Sequence, residues 1–299
     1  MRKWVKGSVV VLLLLAVAMP ALAWGPGAHA VIGLGVLRQR PSPVASVLVN
    51  RYLALQAVYG MAAPDMAQVA PQPLRSALYA AMHDAPGFLA VPKAANLASP
   101  VERAFSFGWV THNQAWGADF YAHIQNPLTP PGMGPQLQMG YVNNRAAVLV
   151  ALAAQAGLAL TDAAAQDYIE AAIDLLLDDQ IANRQLALLL WQAAIWRDYR
   201  IPGLLARAYA APLGVDPAVI RAVEAGFRSF LAAYGGVLAL PSAQRDAVVA
   251  ATLAKVHGLT IAQSVGVLAG AKRVCQQPGA NYLAAIQATV ALVAAWPWP

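Results

Sequence analysis

The chain has 299 residues, 59% of them hydrophobic and 11% charged, with 20 basic against 14 acidic residues and a formal net charge of +6. That balance provides ample core material, and the lack of any run of Lys and Arg excludes a bulk electrostatic grip on duplex nucleic acid. The lone cysteine, Cys275, excludes an internal disulfide, so stability must come from packing, from metal or from both.

Residues 1–23 read as a cleavable secretory leader. Arg2, Lys3 and Lys6 form a positive start, residues 9–19 an apolar stretch too short to span a bilayer, and Ala21 and Ala23 place small residues at alternate positions before the cut. The mature chain would begin at Trp24, be secreted or periplasmic, and form one domain over 24–299. Without the three leader cations it carries 17 basic and 14 acidic residues, a net charge of +3.

Alanine-rich apolar spacing predicts helices over 31–39, 44–58, 74–83, 145–157, 162–177, 183–199, 218–234, 243–256 and 282–295, and nothing reads as a strand. The fold class is therefore all-α. Breaks are marked by Gly60, Pro64, Pro71, Pro86, the loop 126–135, Pro202, Gly235 with Gly236, and Pro241. Thr260 and Gln263 have the spacing of a capping box for one more helix, which should end near Gly270. His257, just before Gly258, reads as a helix-end cap, and the apolar end at 279–299 reads as a packed terminal helix.

Chemistry concentrates in the first part of the chain. His29, His83, His112 and His123 lie there, with Asp65 and Asp119 among them. On a continuous helix, His112, Asp119 and His123, at offsets of zero, seven and eleven, fall within about 20° of one line. Two imidazoles and a carboxylate on one stripe are a zinc-type donor set. Gly117 within the segment is the place where such a stripe would bend. A free α-amine at Trp24, with an unperturbed pKa near 8, would be a further nitrogen donor released by leader cleavage, with its own carbonyl closing a chelate ring and His29 in reach of the same ion.

These residues resemble the zinc-dependent phospholipase C family, which is related to the fungal single-strand nucleases. The resemblance covers Trp24 to about Asp174 and rests on a cut before Trp24-Gly25, a histidine at the sixth mature position, "GMAAPD" at 60–65, His83, and "GWVTH" at 108–112 followed by Asp119 and His123. It implies an all-helical fold with a zinc cluster of two or three ions that hydrolyses phosphodiesters, most of all phospholipids, with a metal-activated water. By position, Trp24 and His29 would hold one ion, Asp65, His83 and His112 a second, and Asp119 would bridge them. His123 would serve a third with Glu170 and Asp174, four apart on one helix face, and Asp65 would orient or deprotonate the nucleophile. The sequence departs from the family in two places. Trp116 stands where the bridging acid is expected, and the later helix lacks its histidine.

Phe88, Phe105, Phe107, Trp109 and Trp116 are candidates for the substrate rim or for core. The resemblance makes a phospholipid or other phosphodiester the partner, is compatible with peripheral contact at a membrane, and predicts no duplex nucleic acid. A zinc nuclease, and a non-catalytic helical protein with a structural zinc site, are the alternatives.

Overall fold

A computed structural model of the chain describes residues 24–40, 44–129 and 139–297. The predicted leader over 1–23, and with it the free amine at Trp24, lies outside the described residues. Thirteen α-helices make up the described part: α1 (Pro26–Gln39), α2 (Arg51–Ala62), α3 (Leu74–His83), α4 (Ala90–Ala94), α5 (Pro100–Trp109), α6 (Tyr141–Gln155), α7 (Asp162–Gln180), α8 (Gln185–Ile195), α9 (Ile201–Tyr209), α10 (Pro217–Leu238), α11 (Ser242–His257), α12 (Ile261–Cys275) and α13 (Tyr282–Ala295). Among the described residues there is no strand, as the apolar periodicity predicts.

Caps explain most of the differences from the predicted bounds. Asn50 accepts the N–H groups of Tyr52 and Leu53 and starts a helix there, which splits the predicted 44–58 segment into a short 3-10 turn and α2. Asn183 and Arg184 sit at positive φ (58° and 55°), so α8 begins only at Gln185. Pro202, read as a break, is instead in the first turn of α9, where its missing N–H costs nothing. The Thr260–Gln263 capping box forms as predicted, and α12 runs on past Gly270 to Cys275.

One continuous apolar core joins the helices. α2 packs closely on α5, α8 on α10, and α6 and α12 on α7, while α1 is surrounded by α2, α7 and α13. The predicted terminal helix α13 buries Tyr282, Ile286, Val290 and Val293. No single helix among the described residues is long and apolar enough to cross a membrane.

Polar networks pin the core at a few points. Arg245, 1% exposed, donates to Asp178 (2.8 Å), Asp179 (2.9 Å) and Asp246 (3.0 Å), and Lys272 pairs with Asp179 and Asp246. Of the three acids only Asp178 is buried, and removing Arg245 strands that carboxylate without its counter-charge. Arg245→Ala is therefore expected to cost about 3–5 kcal/mol, a drop of roughly 6–20 °C in Tm for a domain of this size, measurable by thermal unfolding.

Candidate metal centre

The centre begins with two glycines. A Cβ on Gly60 of α2 would come within 2.3 Å of the Phe105 carbonyl oxygen, and one on Gly108 of α5 within 1.9 Å of the Ala57 carbonyl oxygen. Only hydrogen at both positions lets the two backbones cross this closely. The crossing brings together the segments that follow each helix. Asp65 lies in the 3-10 turn Ala63–Val69 after α2, and His112 lies three residues beyond the end of α5. The Met61 carbonyl at the end of α2 accepts the Nδ1–H of His112 at 2.8 Å.

The continuous stripe predicted for His112, Asp119 and His123 is not what forms. α5 ends at Trp109, and Asn113 turns its side-chain oxygen onto the N–H groups of Ala115, Trp116 and Gly117. Asparagine competes for backbone donors in this way and reverses the chain. The loop closes through Ala118 N–H to the Thr111 carbonyl (2.7 Å) and Asp119 N–H to the His112 carbonyl (2.8 Å). His112 and Asp119 thus become neighbours across a loop, and a short π-helix, Phe120–Ile124, carries His123 to the edge.

Five side chains converge. His29 Nε2 lies 3.2 Å from Asp119 Oδ1, His112 Nε2 lies 3.4 Å from the same oxygen, and His83 Nε2 lies 3.5 Å from Asp119 Oδ2. Asp65 Oδ1 is 3.6 Å from His112 Nε2 and 3.8 Å from His83 Nε2. Two overlapping sets have the ligand spacing of a metal site: His29 with Asp65 and His112, and His83 with His112 and Asp119. All five side chains are buried.

The protonation pattern favours a cation. Carbonyl oxygens can only accept, so Met61 and Tyr79 fix a proton on Nδ1 of His112 and of His83 (2.8 and 2.9 Å). Their Nε2 atoms then face each other at 3.2 Å, and something positive must lie between the two lone pairs. Burial opposes a charge on His112, but Asp119 and Asp65 outweigh it and push its pKa up to about 9. Burial also opposes the Asp119 anion, and the nearby His112 charge outweighs that, holding Asp119 well below the usual carboxylate range. His29 is pushed down by burial and by the His112 charge. All four oxygens of Asp65 and Asp119, and His29 Nε2, have no hydrogen-bond partner. Buried carboxylates left so are costly. Three imidazoles and two anionic carboxylates aimed at one another are the complement of divalent cations, so the residues present fit them.

The remaining predicted residues take other places. Trp24 is buried beside the cluster, its indole N–H donating to the Ala118 carbonyl (2.9 Å) and its ring stacked on Tyr141. Asp174 belongs to neither set. Its two oxygens accept Gly27 N–H and Ala28 N–H (2.8 Å each) and the Tyr234 hydroxyl (2.9 Å), so it caps the start of α1 from across the core, and burial pushes its pKa to about 7 despite those bonds. Neither set includes Glu170, which is buried near Asp65 and Asp119 with Oε1 unpartnered, its carboxyl pushed well up by burial and by the nearby acids. His123 stays outside as well. Its Nδ1–H meets Asn143 Oδ1 at 3.0 Å, and Gln166 donates to that same oxygen at 2.9 Å. Gln166, four residues before Glu170 on α7, was missed in sequence; the spacing of a histidine followed four residues on by an acid is the signal that could have found it.

Of the two readings for the aromatics the core one holds, and the reading of His257 is corrected. Phe88, Phe105, Trp109 and Trp116 are core residues and Phe107 packs against that core. His257 spends Nε2 on Asp167 (2.9 Å), an ion-pair geometry that goes beyond a simple helix-end cap. Comparison with protein-family models, with curated proteins and with solved structures returns no match for this chain.

Proposed function

We propose that the chain is a zinc-dependent phosphodiesterase of phospholipase C type, acting outside the cytoplasm. The observation that supports this reading is the convergence of three imidazoles and two carboxylates whose ligand atoms meet one another while both carboxylates go without hydrogen bonds. His29, Asp65, His83, His112 and Asp119 would hold the ions; His112 is common to the two ligand sets, and Asp119 faces all three imidazoles, Oδ1 toward His29 and His112 and Oδ2 toward His83. Bound zinc supplies Lewis-acid charge that attracts the non-bridging oxygens of a phosphodiester and brings the pKa of water toward neutrality.

The protein's own groups supply orientation and proton handling. The Met61 and Tyr79 carbonyls hold the two rings so that Nε2 faces inward. Asp65 Oδ1 faces the imidazoles, which leaves Oδ2 to accept a proton from an attacking water. Tyr79 stacks on His83 and takes a hydrogen bond from Gln114, and this pair covers the cluster on the His83 side. Leader cleavage would free the amine of Trp24, whose indole donates to the carbonyl of Ala118, the residue before Asp119.

The burial of all five ligands supports a second reading, a structural metal centre without turnover. One experiment separates the readings: strip the purified protein with a chelator, restore zinc, and follow product from phosphatidylcholine and from single-stranded DNA. The expected result is release of a phosphorylated head group that disappears with the metal and returns with it. Nucleotide release instead would identify a nuclease, and stoichiometric zinc with no product from either substrate would leave the structural centre.

A further inference from the structure

α8 buries one face and, among the described residues, leaves most of the other exposed. Leu186, Leu190 and Ala194 are buried, with α10 packed on the helix, while Leu188, Trp191 and Ile195, at offsets of zero, three and seven, form a single exposed stripe. The chain leaves this helix through Trp196 and Tyr199, which are 56% and 78% exposed. Beside the stripe a cleft of about 300 Å³ opens between α2 and α8, lined by Arg51, Tyr52, Leu55, Gln192 and Trp196.

The outward-facing charge around this surface is basic. Arg51 reaches Gln192 Oε1 across the cleft (3.0 Å), and Arg200 lies over the Tyr199 ring at 5.2 Å with its Nε 3.9 Å from the buried Asp198. Asp198 is the only acid between positions 184 and 200, and it is buried, accepting the Tyr52 hydroxyl and the Arg200 N–H. Arg197 is turned inward to the buried Glu224 (2.9 Å). What faces outward is tryptophan, tyrosine, aliphatic side chain and arginine. Tryptophan and tyrosine, apolar in body and polar at one edge, sit at the level of lipid head groups, and arginine is drawn to anionic phosphates there.

We propose that this face docks on an anionic phospholipid surface, with Trp191 and Trp196 at head-group depth and Arg51 meeting a lipid phosphate at the mouth of the cleft. A second copy of the chain is the less complementary occupant. A two-fold interface sets a patch against itself, and Arg51 would then face a surface that, among the described residues of α2 and α8, offers no exposed acid. The proposal does not depend on turnover at the metal centre.

The test is sedimentation of the full chain with vesicles of phosphatidylcholine alone and of an equal mixture with phosphatidylglycerol. The first 23 residues are common to every arm. Wild type is expected to partition onto the mixed vesicles, less so at high salt. The double variant Trp191→Ser with Trp196→Ser should bind roughly tenfold more weakly, and Arg51→Gln should lose the preference for anionic lipid. These side chains are at the surface and away from the metal ligands, so circular dichroism and hydrolysis of a soluble phosphodiester should match wild type. Equal sedimentation of wild type and variants overturns the proposal. So does light scattering that finds a wild-type dimer dissolved by the double variant, which would assign the stripe to a second copy. Vesicle binding without any hydrolysis would sink the enzymatic reading and leave this one standing.

Discussion

Asp119→Asn is expected to empty the metal centre and to lower hydrolysis of a soluble phosphodiester on the order of 10³-fold, the equivalent of several kcal/mol of lost charge stabilisation. Asp119 faces all three imidazoles of the cluster, with Oδ1 toward His29 and His112 and Oδ2 toward His83. Asparagine keeps the shape but replaces one oxygen by an amide nitrogen that offers no lone pair, so one of the two faces loses its donor. The anion needed to balance divalent charge is lost at the same time. The fold should survive at a cost of about 3–5 kcal/mol, because the side-chain volume is retained while the buried His112 charge loses its counter-charge. Elemental analysis gives the metal content, and thermal unfolding shows that the variant is folded. A wild-type metal content in Asp119→Asn would remove this residue from the centre.

The second large effect concerns a residue that touches no ligand atom. Gly108→Ala places a methyl group 1.9 Å from the Ala57 carbonyl oxygen and 3.0 Å from the Met61 nitrogen, both backbone atoms that cannot swing aside. Contacts between such atoms relax only near 3.5 Å, so α2 and α5 must part by more than about 1 Å. Overpacking of this kind costs roughly 1–3 kcal/mol, sometimes more. The separation also acts on the bond from His112 Nδ1 to the Met61 carbonyl, which joins the two segments and aims the ring. Loss of such a supporting contact should weaken zinc binding roughly 10- to 100-fold. Gly266→Ala is the matched control. No atom lies within 4 Å of the added methyl on α12, and the change is expected to stabilise by about 0.4–1 kcal/mol. Paired melting curves and zinc titrations of the two alanine variants check the contrast, and equal zinc affinities would show that the helix crossing does not position His112.

Helices were legible wherever apolar spacing ran unbroken between clear stops. The segments 74–83 and 282–295 have the predicted bounds. What was missed depends on single side chains that redirect the backbone. Ser99, Pro100 and Glu102 carry a helix-start pattern, and Ser99 does cap α5, yet that helix was not anticipated. Asn113 folds the presumed stripe into a loop, and a periodicity argument treats a residue on a helix and the same residue in a reversing turn alike.

The candidate centre was legible as a set of residue types rather than as geometry. His29, Asp65, His83, His112 and Asp119 stand out because imidazoles and carboxylates are scarce in a chain that is 11% charged. Which of the later acids join them was not legible, because it depends on contacts over long separations. Asp174 and Glu170 have the same four-residue spacing, yet Asp174 is committed to the amides of Gly27 and Ala28. Tyr79, Gln114 and Asn143 carry no signature in sequence and are found only by their partners.

The bond between Asp174 and the first turn of α1 also sets an order of events. It spans 147 residues, so during synthesis the segment bearing His29 leaves the ribosome long before the carboxylate that fixes it. Loop closure over such a distance has to wait for the middle of the chain and slows assembly, as high contact order does generally. A chain ending before α7 would lack the carboxylate that caps the first turn of α1, so the segment bearing His29 would be held there chiefly by its packing on α2.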